Sequence, residues 1–167
     1  MDVKFWVVLV AAIIPMITGF IWYNPKIFGK AWQTEAGMTE DKMKGANMAK
    51  IFGLAYLLSV LMASAMLSIT IHQFGVFSML ATDPKAVMDF STEVGALFKG
   101  IMEKYGTNFR TFKHGAFHGV LSSLFIALPI LGTNALFERK SFKYVAINVG
   151  YWMLTMALMG GVVCAYA

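Results

Sequence analysis

Hydrophobic positions in this chain gather into four unbroken runs, Phe5 to Tyr23, Ile51 to Ile71, Gly115 to Phe137 and Tyr144 to Tyr166, none containing Asp, Glu, Lys or Arg. Each matches the roughly 20 apolar residues that cross a bilayer as a helix. Backbone N–H and C=O groups find no water in hydrocarbon, so such runs must satisfy their own hydrogen bonds as helices. The pattern therefore predicts an all-α membrane protein, a four-transmembrane-helix bundle forming one integral membrane domain over residues 1–167. The first run has only Lys4 as a cation ahead of it and closes on Trp22-Tyr23-Asn24-Pro25 rather than small residues, which reads as a retained span. Trp6, Trp22, Tyr144 and Tyr166 sit near span ends, where an aromatic ring keeps its face in the acyl region and its polar atom wet.

The connecting segments carry helical signals of their own. Asn24-Pro25 is a cap followed by a first-turn proline, and Gly37 closes the stretch; Phe28 with Trp32, and Lys26 with Lys30, are four apart, as in a helix lying along the membrane surface. Thr39 followed by Glu40 and Asp41 starts another helix, which is expected to run unbroken into the second span. The long middle connection shows an amphipathic segment over about 84–105, with Val87, Phe90, Val94, Leu97, Phe98, Ile101, Met102 and Tyr105 at helical spacing between Asp83-Pro84 and Gly106. Gly95 and Gly100 weaken that helix and mark a bend.

Composition agrees with a membrane class: 58% of residues are hydrophobic, and the mean hydropathy of +0.64 exceeds what a soluble domain of this length can hide in one core. A net charge of +5 raises the question of nucleic acid, but the cations are spread over the connections in no single stripe, and no nucleic-acid partner is expected. They bear on orientation instead. Connections one and three hold eight Lys and Arg within residues 24–50 and 138–143, against six across the longer 1–4 and 72–114. Both termini and the middle connection are therefore expected outside the cell.

Within the spans, small residues recur every four positions at Gly115, Gly119, Ser123 and Ala127, and again at Ala146 and Gly150 and at Ala157 and Gly161. Such strips let helix backbones approach closely, either within the chain or between copies, and a homo-oligomer or larger membrane complex is expected. Pro15 should bend the first span; Pro129 and Gly132 should bend the third.

All three histidines fall toward one side of this topology. His72 ends the second span while His114 and His118 open the third, and antiparallel pairing would bring them together. Ser64, Ser68 and His72 step by four along one expected stripe, as do His114, His118 and Ser122 along another, giving two polar stripes that could face each other. Imidazole binds metals, carries protons near neutral pH, or simply donates to a carbonyl. The four-residue spacing of His114 and His118 suits one metal ion, but no Glu occupies the position a zinc protease requires. Haem would need axial nitrogens on opposing surfaces, from His72 and one of the others or from two chains. No nucleophile-and-base pair stands at an interpretable spacing, so an enzyme is not the expectation. Met153, Met156 and Met159 could ligate Cu(I), although packing is the ordinary role of methionine; the single Cys164 could join a metal site or be a small buried hydrophobe.

The run from Gly19 through Trp22-Tyr23-Asn24-Pro25-Lys26, Phe28-Gly29-Lys30 and Trp32 closely resembles the W-Y-x-P-x-x-F-G-K-x-W signature of a widespread family of small multi-pass bacterial membrane proteins whose domain has no assigned function. Ala46-Asn47-Met48-Ala49-Lys50 and Ile147-Asn148-Val149-Gly150-Tyr151-Trp152 match it further. The resemblance implies a four-helix fold in a bacterial inner membrane and supplies no activity or site. Two functional readings stand: a small oligomeric transport, channel-like or accessory module, or a metal- or haem-binding membrane protein built on His72, His114 and His118. Beyond Thr18, Asn134 and Asn148 the inner halves of the spans offer few polar groups, which favours an accessory role over an ion path.

Overall fold

A computed structural model describes residues 3–167; among them the chain is entirely helical, with no strand. Four helices are long and apolar enough to cross a membrane: Phe5–Trp22, Met48–Thr70, Phe112–Phe137 and Phe142–Tyr166. The first consists of α1 (Phe5–Ala11) and α2 (Ile14–Trp22). Pro15 has no N–H to offer the carbonyl four residues back, and the helix opens at Ala12 and Ile13 as that missing rung requires.

Chain direction then reverses through a compact turn. The Asn24 side chain accepts from Lys26 N (2.9 Å), and its carbonyl accepts from Ile27 N and Gly29 N, so the helix that follows, α3 (Gly29–Ala36), starts four residues after Pro25. A Cβ on Gly29 would meet the Tyr23 carbonyl oxygen at 2.2 Å, so only glycine fits this turn. Phe28 packs on Trp22 and Trp32 on Tyr23, with ring centroids 4.5 and 5.4 Å apart; the rings clasp the end of the first span. Gly37, at φ 70, ends the helix in the left-handed region. The expected continuous run from Thr39 into the second span does not form. The single turn α4 (Glu40–Met43) stops before Gly45, whose φ of 78 breaks the helix, and Asn47 caps a fresh start by accepting from Lys50 N at the head of α5 (Met48–Thr70).

The middle connection is also more divided than its periodicity predicts. A helix absent from the sequence reading, α6 (Gln73–Leu80), follows the second span directly, and the 84–105 segment splits into α7 (Pro84–Met88) and α8 (Glu93–Tyr105). Asp89 and Thr92 compete for the backbone at the break: Asp89 accepts from Ser91, and Thr92 caps Gly95 N. Gly95 is needed for close approach, since a Cβ there would stand 2.0 Å from the Asp89 carbonyl oxygen.

The third span begins as α9 (Phe112–Ser122), passes through a π-turn at Ser123–Ala127 and continues as α10 (Leu128–Phe137). In a regular helix the Pro129 ring would strike the carbonyl four residues earlier, and the widened turn relieves that clash. Arg139, at φ 54, closes the span, and Ser141 caps α11 (Phe142–Tyr166). This last helix is the axis of the bundle: 56% of its most apolar window is buried, against 17% for the third span. Val7, Ala11, Ala63, Met66, Met156, Met159 and Val163 form the core around it. Large side chains on the outer faces, such as Leu58 at 66% exposed and Phe137 at 87%, would be costly in water and are at home against lipid tails.

Candidate functional site

Helical continuity decides where His72 goes. The second span stops at Thr70 and Ile71 is extended (φ −106, ψ 96), so His72 leaves the register that would align it with Ser64 and Ser68. On the third span Thr111 caps α9 by accepting from His114 N, and one turn of that helix separates His114 from His118. The result is a cluster: the nearest ring nitrogens of His72, His114 and His118 all lie within 4.8 Å of one another. His72 Nε2 and His114 Nε2 are 2.9 Å apart, and the three ring pairs have centroid separations of 4.9, 5.1 and 4.5 Å. His72 is exposed and the other two are half-buried.

Among the described residues the surroundings of the cluster are aromatic rather than acidic. Phe109 lies against His72 at 5.9 Å and His114 at 5.0 Å, and Phe117 lies 5.9 Å from His118. Phe109 holds φ at 62, in the left-handed region that bulky residues rarely adopt. Strain of this kind costs on the order of 1–3 kcal/mol and persists only where neighbours enforce it. The enforcing contacts are present: the Phe109 carbonyl accepts from Thr111 N and from the Cys164 thiol, while buried Gln73 donates to the carbonyls of Tyr105 and Asn108 and pins the loop from the other side. Neither Gln73 nor Phe109 stood out in the sequence, because both act through the loop backbone. Among the described residues the histidine rings make one hydrogen bond, the one between His72 and His114.

Other candidates lie elsewhere. Ser64 is exposed and returns its hydroxyl to the Val60 carbonyl; Ser68 is exposed and lines a groove of about 460 Å³ with Phe74, Phe77 and Ser78. Ser122 is buried and donates to the His118 carbonyl at 2.8 Å, anchoring the helix rather than a ring. Cys164 is fully buried, its thiol donating to the carbonyls of Thr70 and Phe109, and is not a member of the histidine cluster. Met156 and Met159 fill the core.

The small-residue strips meet inside the chain. A Cβ on Gly115 would lie 2.1 Å from the Gly160 carbonyl oxygen, and one on Gly119 would lie 2.1 Å from that of Met156, so the third and fourth spans touch backbone to backbone. Gly160, rather than Gly161, supplies the facing surface; Gly161 makes room for the Phe112 ring and Gly150 for the Trp22 indole. Ser123 is buried, 3.4 Å from the Val149 carbonyl it bonds, and Ala127 packs on the core. This weld fixes His114 and His118, one turn of helix apart, against the bundle axis.

At the opposite end Trp22, Tyr23, Lys140 and Glu35 each have a protein partner. Trp22 Nε1 donates to the Ile147 carbonyl (3.0 Å), Tyr23 donates to Asn148 (3.0 Å), and Lys140 donates to the Ala36 carbonyl (2.7 Å). Glu35 accepts from Ser141 and pairs with Lys143 at 3.4 Å; the Ser141 hydroxyl first, then Lys143, hold its carboxyl below the usual carboxylate range. These contacts join the signature stretch around Trp22-Tyr23 to the start of the fourth span.

No curated protein and no solved structure matches the chain. A family described as a protein of unknown function, DUF1761, matches residues 6–164, covering all four spans and the histidine cluster. The chain is a multi-pass membrane protein of the DUF1761 family.

Proposed function

We propose that the protein binds a divalent transition-metal ion through His72, His114 and His118, as an accessory membrane protein rather than a conduit. The observation that carries this reading is the convergence of three imidazole nitrogens within 4.8 Å from two separate elements. Zinc–imidazole bonds of about 2.0–2.1 Å in a tetrahedron place ligand nitrogens roughly 3.4 Å apart. The pair at 2.9 Å therefore needs to open by about half an ångström, and separations of up to 4.8 Å need to close by up to about 1.4 Å, both by side-chain rotation. A purely imidazole donor set suits Zn²⁺, Cu²⁺ or Ni²⁺ better than Mg²⁺, Ca²⁺ or Cu(I). Haem is disfavoured, because a porphyrin must pass between its axial nitrogens and two at hydrogen-bond distance leave no room for it.

A transport path finds less support. The bundle interior is filled by the apolar core, and its buried hydroxyls are satisfied within it, Thr18 with Thr155 at 2.7 Å and Ser59, Thr70, Ser122 and Ser123 on backbone carbonyls. A more apolar crevice, about 410 Å³ between Met62, Ile126 and Trp152, lies within the membrane-crossing helices. The cation distribution leads us to place the histidine end, with both termini and the middle connection, on the outer side of a bacterial inner membrane. The strips that suggested an oligomer are used within the chain, so a homo-oligomer, if formed, would use the lipid-facing surfaces. Titration calorimetry in mild detergent tests the metal reading. One Zn²⁺ per chain, with affinity at least tenfold weaker in His118→Ala, is the expected result; equal affinity in the triple alanine variant would remove the reading.

A further inference from the structure

Resting on that metal reading, we infer that the ion held by His72, His114 and His118 keeps one coordination position for an exogenous phosphate group. Three nitrogens leave a tetrahedral ion one ligand short. Among the described residues nothing is placed to supply it: no carboxylate or thiolate joins the cluster, and Cys164 is turned into the bundle toward the carbonyls of Thr70 and Phe109. Neutral imidazoles leave the full double charge of the ion uncompensated. Lys113 adds a further positive charge in the first turn of the same helix. A divalent ion without an anionic ligand, at the edge of a low-dielectric slab, attracts an anion strongly.

The cluster also stands where phosphates are concentrated. His114 and His118 occupy the first two turns of a membrane-crossing helix, and exposed His72 opens the site outward. Exposed rings of Phe109 and Phe117 border it, giving an apolar flank beside a charged centre, as the neck of a phospholipid has. Free phosphate offers the same oxygen donor without the acyl chains. Both sources share the chemistry inferred here, a single oxyanion bond to the metal.

Cobalt(II) reports the coordination directly through its visible absorption. The full chain in detergent is loaded with one equivalent of Co²⁺, then titrated in one arm with inorganic phosphate and in another with dihexanoyl phosphatidate. The expected result is a shift of the visible band that saturates at one phosphate per cobalt; response to the phosphatidate alone assigns the lipid source, and response to both shows that the phosphate group suffices. Histidine-dependent cobalt binding with a band indifferent to both would overturn this inference and leave the metal site standing. Cobalt binding that is unchanged in the His72→Ala and His118→Ala variants, each checked for helical content by circular dichroism, would overturn the metal reading and this inference with it.

Discussion

The aromatic cluster at one end of the bundle and the histidine cluster at the other treat their polar groups in opposite ways. At the aromatic end, Trp22, Tyr23, Asn148, Lys140 and Glu35 all spend their hydrogen bonds inside the protein. At the histidine end, three imidazoles converge with one hydrogen bond among them and, among the described residues, no acidic partner. Buried or half-buried polar groups are ordinarily satisfied by the fold, so a cluster left to itself points outward to a ligand, whereas a fully paired one explains itself as architecture. The Trp22-Tyr23-Asn24-Pro25 stretch lies at the architectural end.

The contrast rests on the weld that holds both ends in register, and breaking it should have the largest effect. Gly119→Val drives a side chain into the Met156 backbone and should lower stability by about 3 kcal/mol, the upper end of overpacking costs, read as thermal unfolding in detergent. Gly132→Ala is the control: open space surrounds that position, so it should be neutral or stabilise by up to about 1 kcal/mol.

Next in size are changes that separate site from scaffold. His72→Ala should reduce metal affinity at least tenfold while leaving the unfolding temperature of the metal-free protein nearly unchanged, since that ring is exposed. Tyr23→Phe should do the reverse, costing about 0.5–1.5 kcal/mol of stability by orphaning the Asn148 oxygen and leaving metal affinity intact. If both substitutions moved both measurements, the ends would not be the separate devices described.

The smallest effect concerns pH. The Glu35 carboxyl is depressed in the folded state, so its contribution is fully present above the unfolded carboxylate value of about 4.3 and is lost as pH falls through its lower folded value. Because its partner Lys143 is exposed and the pair sits at the water-facing rim, Glu35→Gln should remove only a slight stability increment at neutral pH and flatten the melting profile below pH 4.5 or so.

The four spans were readable because hydrocarbon permits only one solution for a long uncharged run. Helix starts were readable at Thr39 and Asp83, which cap with their own side chains; Asn47, Thr92, Thr111 and Ser141 cap in the same way but lie inside or just ahead of apolar patterns that read as continuous. Interruptions were harder. The break at Asp89–Thr92 sits inside an intact apolar period, and α6 follows the second span with no polar spacer to announce it. That the histidines would meet followed from antiparallel pairing, but their contact depends on the extended Ile71 and the strained Phe109, two backbone conformations that no side-chain pattern encodes. Ser64 and Ser68 seemed aligned with His72 only while the helix was taken to continue past Thr70.

X-ray absorption at the zinc edge of the loaded protein in detergent tests the central claim most directly. The account predicts a first shell of three imidazole nitrogens at about 2.0–2.1 Å with a single oxygen, lost in the triple histidine variant. A shell containing sulfur, or one of oxygens alone that survives removal of the histidines, would contradict it.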